Sequence, residues 1–495
     1  MKTFDYKKLT KEELEDIFRD FPFKLSPMRH QLISLSFASV HGRCGFLHGV
    51  GTGKTLAALW TTQLWENKKI LVVCPSSAFS AWERDISKYT DYSHEFLLGS
   101  GRHRRSLLKK KRDIYIINYE GLKTIYCKLI KGRGWKTDYS SFLHKFDCLI
   151  LDEVHKCKNY KSLQSNICHE LSKKAKNVIG LTGTPIDRSL LEAFNIYRVI
   201  DLGATLGNNF FTYRNKYFYP VMYDWKLKKG AKESILDRLT KNTISFDREE
   251  CFDLPEIQEI VREVEPTKEF IKLQHSIITE PNINLDGTII KLEATELNEN
   301  EETFQKLKSR LLRQLPLGFI YYKTEEGQDR TFRLKKNPKI ESLLDFLEDT
   351  SGKVIIFYHF KEESNLIRKA LEKEKISYIS IHGGQKLEDR TKSVKKFTED
   401  KEVKCAVVQR EAGAEGWDGS IANVAIYFSP VPSPLSRKQC TGRIHRKGQK
   451  HSCLVVDLAL KKSTDFRVLR NRSERFDFVQ ETMLYIQEYG GVEEW

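Results

Sequence analysis

No run of apolar residues in the sequence approaches the roughly 18 that a membrane-spanning helix requires, which removes the helical membrane proteins first. Nor is there a Cys-x-x-Cys pair. The 10 cysteines are scattered from Cys44 to Cys453, a distribution that suits neither a disulfide framework nor a zinc ribbon and implies a reducing intracellular compartment. Glycine (28) and proline (13) are too few for a collagen-like or low-complexity chain. Within Met1–Phe21 the acidic residues Glu12, Glu13, Glu15 and Asp16 break any apolar core, so neither a signal nor a transit peptide is expected. No fixed-period repeat is visible. Acidic residues are the scarcer charge: 67 Asp plus Glu stand against 83 Lys plus Arg, a formal net charge of +16. That excess favours a polyanionic partner, with nucleic acid ahead of an anionic membrane surface.

At roughly 100–200 residues per domain, a chain of 495 residues has room for two to four domains. Short apolar runs (ILVVC before Pro75, DIYII before Asn118, CLIL before Asp152, NVIGL before Thr182) read as buried parallel strands. Amphipathic stretches such as Leu56–Trp65 and Tyr160–Lys174 separate them, which predicts a doubly wound α/β lobe over 1–200. A second series, KVIIFY, SYISI, KCAVVQ, NVAIYF and CLVVDL, predicts another such lobe over 346–495, ending in C-terminal helices. Between them, 201–345 shows helical patterns and little strand rhythm, so an inserted, mainly helical region and interlobe linker is expected, with Asn282–Glu302 as a mobile loop. Two basic clusters, Arg102–Arg112 and Lys226–Lys232, could equally be solvated loops or anion contacts.

The strongest chemical signal is VGTGKT, Val50–Thr55, set between the strand-like CGFLH and the helix-like LAALWTTQLW. Gly51, Thr52 and Gly53 offer backbone N–H groups to phosphates at a helix N-terminus, Lys54 reaches the outer phosphates, and the Thr55 hydroxyl can bind Mg²⁺. His48 stands where this pattern usually has its first glycine. Asp152 and Glu153 follow CLIL directly, at the strand end where ligands sit in doubly wound sheets. One carboxylate would hold Mg²⁺, and the other would orient and deprotonate water.

VGTGKT, LDEVH and GLTGTP resemble motifs one, two and three of superfamily-two helicases. QCTGRIHRKGQ, Gln439–Gln449, is similar to the Q-x-x-G-R-x-x-R-x-G-Q signature of the Swi/Snf-like DNA translocases. CPSSAFSAWERD, INYE around Tyr119, the Leu254-Pro255 and Pro338-Lys339-Ile340 steps, HGG at His382–Gly384 and GAEGWD at Gly413–Asp418 agree, so the resemblance runs from Gln31 to Asp457. The sequence departs from the family at Val154 in the acidic box, at Trp417-Asp418-Gly419, and at SPVPSP (Ser429–Pro434).

The resemblance implies two RecA-like P-loop lobes with parallel sheets, ATP and Mg²⁺ as cofactors in the cleft, and DNA across both lobes. Lys54, Asp152, Glu153, Gln439, Arg443 and Arg446 would be catalytic, with Arg443 and Arg446 sharing a helix face as arginine fingers. An alternative duty for these arginines is contact with DNA phosphate. Gln31 would read the adenine edge and Gly416 would join the ATP site, with Thr55 and Asp152 as Mg²⁺ ligands. Ser76, Tyr119, His155, Thr182, Thr184, His382, Gly383 and Gly413 would couple nucleotide state to DNA or touch DNA, although helix capping is the plainer role for the threonines. For Trp82, core packing is preferred over base stacking.

The expected protein is an ATP hydrolase that translocates on double-stranded DNA without sequence specificity, as a monomer with no membrane association. Its compartment would be the cytoplasm in a prokaryote or virus and the nucleus in a eukaryote. Two rivals stay open: a strand-separating DNA or RNA helicase, and a nucleotide-dependent DNA clamp without turnover. Little chain remains for a reader domain beside the motor.

Overall fold

The structure is a computed structural model that describes residues 3–494 except 131–133, 143, 184–185, 187–188, 222–223, 293–300, 325, 414–416 and 475–491. The chain forms two units, Met1–Asp253 and Leu254–Phe476, and the terminal strand Val492–Glu494 pairs antiparallel with Thr3–Asp5 of the first.

The first unit is built on a seven-stranded sheet in the order Thr243–Ile244, Arg43–Phe46, Asn177–Leu181, Cys148–Asp152, Ile70–Cys74, Ile114–Asn118, His94–Phe96. Every neighbouring pair is parallel. Parallel strands need crossover connections, whose helices cover both faces, and this is why the strands read as continuous apolar runs. Leu71, Val73, Leu149 and Leu151 enter one core with helices Tyr119–Tyr126, Leu163–Lys174 and Leu191–Asp201. Their neighbours Ile70, Val72, Cys148 and Ile150 enter the other with Arg29–Val40, Lys54–Leu64 and Phe79–Tyr89. Truncating one of these fully buried residues, Ile150→Ala for instance, would cost about 2–5 kcal/mol.

The second unit repeats the plan with six parallel strands in the order Ile257–Val264, Cys453–Leu460, Val424–Tyr427, Val354–Tyr358, Cys405–Gln409, Tyr378–Ile381. Ile355, Phe357, Ala406 and Val408 pack on one face, and Val354, Ile356, Cys405 and Val407 on the other. A further core of Val264, Phe270, Ile277, Ile283, Leu285, Leu311, Ile320 and Leu460 ties helices Lys268–Thr279 and Glu301–Gln314 and two hairpins to one end of the sheet.

Residues 201–345, expected as one mainly helical insertion, are divided between the units: Thr243–Ile244 adds an edge strand to the first sheet and Ile257–Val264 adds one to the second. Ile257–Val264 (IQEIVREV) lacks an apolar run because an edge strand leaves much of its surface exposed. The expected mobile loop over Asn282–Glu302 is corrected at 282–291. There Asn282–Leu285 and Thr288–Lys291 form a hairpin that turns at Asp286-Gly287 with φ of 52° and 87°, the left-handed pair a two-residue turn needs, while Ile283 and Leu285 are buried. Among the described residues no helix is long and apolar enough to cross a membrane.

Candidate active site

Strand Arg43–Phe46 feeds the glycine-rich loop, and helix Lys54–Leu64 follows it directly. Gly53 caps that helix in the left-handed conformation (φ 79°), where a side chain would be strained and its Cβ, 2.5 Å from Gln31 Nε2, would push the Gln31 amide out of place. Gln31 itself is buried. Its Oε1 accepts from the Met28 N–H at 2.9 Å and its Nε2 donates to the Gly53 carbonyl at 3.2 Å, so the amide expected at an adenine edge braces the loop in this structure.

His48 is fully buried with its ring stacked on Phe46. The Ser34 hydroxyl donates to the His30 carbonyl at 2.7 Å and therefore accepts from His48 Nε2 at 2.8 Å, which sets the tautomer. Burial, aided by the charges of His30 and Lys54, pushes the His48 pKa well below its usual value, so the ring is a neutral strut beneath the loop. His30 Nε2 donates to the Thr52 carbonyl at 2.7 Å, and the Thr52 hydroxyl donates to the Gly49 carbonyl at 2.9 Å. Gly51 also has positive φ, 86°. Lys54 Nζ donates to the His48 and Gly49 carbonyls at 2.9 and 3.1 Å, curled over a helix N-terminus that favours anions. Thr55 is the second residue of that helix.

One strand intervenes between the loop strand and Cys148–Asp152, which ends in the acidic pair. Asp152 Oδ2 accepts from the Trp82 indole N–H at 2.9 Å, while its carbonyl accepts from the Tyr119 hydroxyl at 2.8 Å. Trp82 and Tyr119 are both buried. Packing therefore describes Trp82 only in part: it also aims a carboxylate, and its distance in sequence from Asp152 hid that role. Burial first, and the adjoining Glu153 charge second, push the Asp152 carboxyl from its ordinary 3.8 to about 6, with Lys54 pulling the other way. Glu153 has φ 55° and ψ 52°, a left-handed conformation unfavourable for any residue with a Cβ. The backbone there places Glu153 Oε2 3.4 Å from the Thr182 hydroxyl and 3.2 Å from His155 Nδ1, and His155 and Thr182 are 3.1 Å apart. Thr182 follows the intervening strand, so neighbouring strand ends are joined through Glu153.

These groups have complementary chemistry. A lysine at a helix N-terminus binds phosphate. Two adjoining carboxylates, one destabilised by burial, gain from a divalent cation, and the hydroxyl and carboxylate oxygens of Thr55 and Asp152 are the hard donors Mg²⁺ prefers. Among the described residues no group of three or more His, Cys, Asp or Glu could hold a metal ion.

In the second unit Gln439 is half-buried on helix Pro434–Thr441. Ser433 caps that helix and Pro434 opens it, a physical reason for the end of SPVPSP. The expectation that Arg443 and Arg446 share a helix face is corrected: the helix ends at Thr441 and both arginines stand on the turns that follow. Tertiary anchors hold those turns. Ile444 is buried, His445 Nε2 donates to the Pro255 carbonyl at 2.8 Å, and Gln449 Nε2 faces the Ser420, Ala422 and Ile444 carbonyls. The arginines still converge, reaching the Trp417 carbonyl at 3.1 and 3.4 Å, with Arg446 Nε 3.7 Å from Asp418 Oδ2. Gly419 N–H donates to the Arg443 carbonyl at 3.1 Å, and a Cβ on Gly419 would lie 3.2 Å from that carbonyl oxygen, so glycine at this departure from the family pattern eases the approach of the two loops.

Other expected residues stand apart. The Ser76 hydroxyl accepts from Asn118 Nδ2 at 3.0 Å. His382 and Gly383 are exposed, the Gly383 N–H donating to Gln409 Oε1 at 3.0 Å. Gly413 ends the short helix Arg410–Gly413, and Thr184 and Gly416 lie outside the described residues. Part of the first basic cluster is spent internally: Arg105 donates to the Thr124 and Ile125 carbonyls, and Lys110 pairs with Glu95.

The chain is similar to known proteins over most of its length. The chain is 25% identical over 433 residues to the DNA repair and recombination protein RDH54 of Saccharomyces cerevisiae, covering 82% of this chain and 43% of that protein. It therefore spans less than half the length of that relative. It is 22% identical over 474 residues to the uncharacterized ATP-dependent helicase YqhH of Bacillus subtilis, covering 92% of this chain and 80% of that one. Among solved structures, a Sulfolobus solfataricus SWI2/SNF2 ATPase core in complex with dsDNA aligns with 95% of this chain and 98% of its own, at 19% identity and a TM-score of 0.43. The helicase conserved C-terminal domain matches residues 336–448. The SNF2-related domain matches residues 30–314, more than half of the 495, and the chain belongs to the SNF2-related family.

Proposed function

We propose that the protein is an ATP-dependent motor that translocates on double-stranded DNA and remodels DNA or protein–DNA complexes. The observation that carries this reading is the grouping, at the ends of one parallel sheet, of Lys54 on a phosphate loop, Asp152 aimed by Trp82, and Glu153 held by Thr182 and His155. The loop and helix N-terminus receive the triphosphate of ATP. Thr55 and Asp152 would hold Mg²⁺, whose contribution is to offset the charge on the phosphate oxygens. Glu153 orients and deprotonates the attacking water. Arg443 and Arg446 supply positive charge to the phosphate that leaves, and Gln439 acts beside them. The Glu153–His155–Thr182 triangle gives a change at the nucleotide a direct route into strand Asn177–Leu181. Family membership and the +16 charge support DNA as the track, gripped through its phosphates without reading sequence. The ten free cysteines suit a reducing compartment, cytoplasmic or nuclear according to the source.

The test is ATP turnover with no nucleic acid, single-stranded DNA, duplex DNA and duplex RNA, together with displacement of a triplex-forming third strand. Strongest stimulation by duplex DNA, with the third strand displaced and a simple fork left intact, is expected. Stronger single-strand stimulation with efficient fork unwinding would establish a strand-separating helicase, and DNA binding without turnover a clamp.

A further inference from the structure

The second unit carries a surface that the ATP chemistry leaves unused. Helix Glu301–Gln314 turns Leu307, Leu311 and Leu312 into the core shared with Phe270, Ile277 and Ile320. Side chains three or four positions apart share a helix face, which places Lys306, Arg310 and Arg313, with Ser309 between them, along one side. The helix opens with Glu301 and Glu302, and residues 303–314 contain no Asp or Glu. Arg310 and Arg313 have no ion-pair partner among the described residues.

These side chains form one wall of a cavity of about 390 Å³, and Phe360 forms the other. Phe360 lies just beyond strand Val354–Tyr358, at the carboxyl-end side of the sheet where ligands bind in such folds. Its ring is held by Phe319 and Tyr321, with centroids 5.9 and 6.3 Å away. The adjoining acid, Glu362, is already paired with Arg333, so it does not neutralise the cavity.

We propose that this wall is a phosphate-backbone clamp for duplex DNA, with Lys306, Arg310 and Arg313 contacting successive phosphates. The spacing favours a polymer over a small anion. Seven residues of helix at about 1.5 Å each spread the cations over about 10 Å, the axial length over which one DNA strand presents about three phosphates. A site for a compact anion would converge its cations on one point. The clamp reads no base, adds affinity without specificity, and rests on the motor reading above.

The experiment uses the full chain. Duplex DNA of mixed sequence is titrated over a salt series with wild type, with Lys306→Gln/Arg310→Gln/Arg313→Gln, and with the charge-keeping Lys306→Arg/Arg310→Lys/Arg313→Lys. ATP turnover without DNA is measured in parallel. Loss of three phosphate contacts should make the plot of log affinity against log salt shallower by about 2.7, at about 0.9 per phosphate. The charge-keeping variant should retain the wild-type slope, and DNA-free turnover should be unchanged in both. An unchanged slope in the glutamine variant overturns the clamp, as does weaker binding with a parallel slope. Weakened binding of inorganic tripolyphosphate with the duplex slope intact also overturns it, in favour of a small-anion site. Failure of duplex DNA to stimulate wild-type turnover would defeat the motor reading instead, and the slopes would still decide the clamp.

Discussion

Asp152→Asn should make the ligand-free protein more stable while abolishing ATP turnover. The native carboxyl, at about 6, is raised above its ordinary 3.8, so the folded state holds that proton more tightly than the unfolded state. Below about 3.8 both states are protonated and nothing is lost. As pH rises from there through about 6 the stability contributed by this group falls, and above it the native state carries the whole cost of a buried charge beside Glu153. The difference, about 2.2 pH units at about 1.4 kcal/mol each, sets an upper value of about 3 kcal/mol. Asp152 keeps some contact with solvent, which screens the pair, so about 1–3 kcal/mol is expected. The amide stays neutral at every pH, and its oxygen can still accept from Trp82. For a unit of this size the gain corresponds to about 2–12 °C in melting temperature, measured with EDTA present at about pH 7, and it should fall to about half near pH 5. A variant no more stable than wild type at neutral pH, or one whose advantage does not shrink toward pH 5, would falsify the claim that Asp152 is held ionised at a cost that a bound cation relieves.

Lys54→Ala should weaken ATP binding, whereas Glu153→Gln should bind ATP yet stall; wild-type hydrolysis by the glutamine variant would remove Glu153 as the base. Trp82→Phe keeps the packing but deletes the donor to Asp152, and should raise the Mg²⁺ needed for binding a fluorescent ATP analogue about 10-fold or more with melting little changed. An unaltered Mg²⁺ titration would return Trp82 to a packing role. Arg446→Ala should keep ATP and DNA binding and lose about 10³-fold or more of DNA-stimulated turnover; the opposite outcome, weaker DNA binding with turnover intact, would assign it to a DNA phosphate.

Much of the site was legible because its parts are local. A glycine loop between a strand and a helix, or two acids after four apolar residues, is recognisable from neighbours in the chain alone. Edge elements were harder to read. Ile257–Val264 alternates like a surface segment yet pairs along its whole length with Cys453–Leu460, and Asp286-Gly287 marked a hairpin that the acidic run at Glu296–Glu302 obscured. The turns carrying Arg443 and Arg446 looked helical by spacing, but anchors brought from Pro255 and Ser420 hold them otherwise.

The sequence by itself determined two parallel α/β sheets, the phosphate loop and the acidic pair, because buried parallel strands must be continuously apolar and phosphate loops need glycine before a helix. Tertiary structure alone decided that Trp82 aims Asp152, that Glu153 meets Thr182 and His155, that Gln31 braces Gly53, and that Lys306, Arg310 and Arg313 face Phe360 across a cavity. Those partners lie tens of residues apart in most cases, and a hydrogen bond or a cavity wall depends on positions in space that no local pattern encodes.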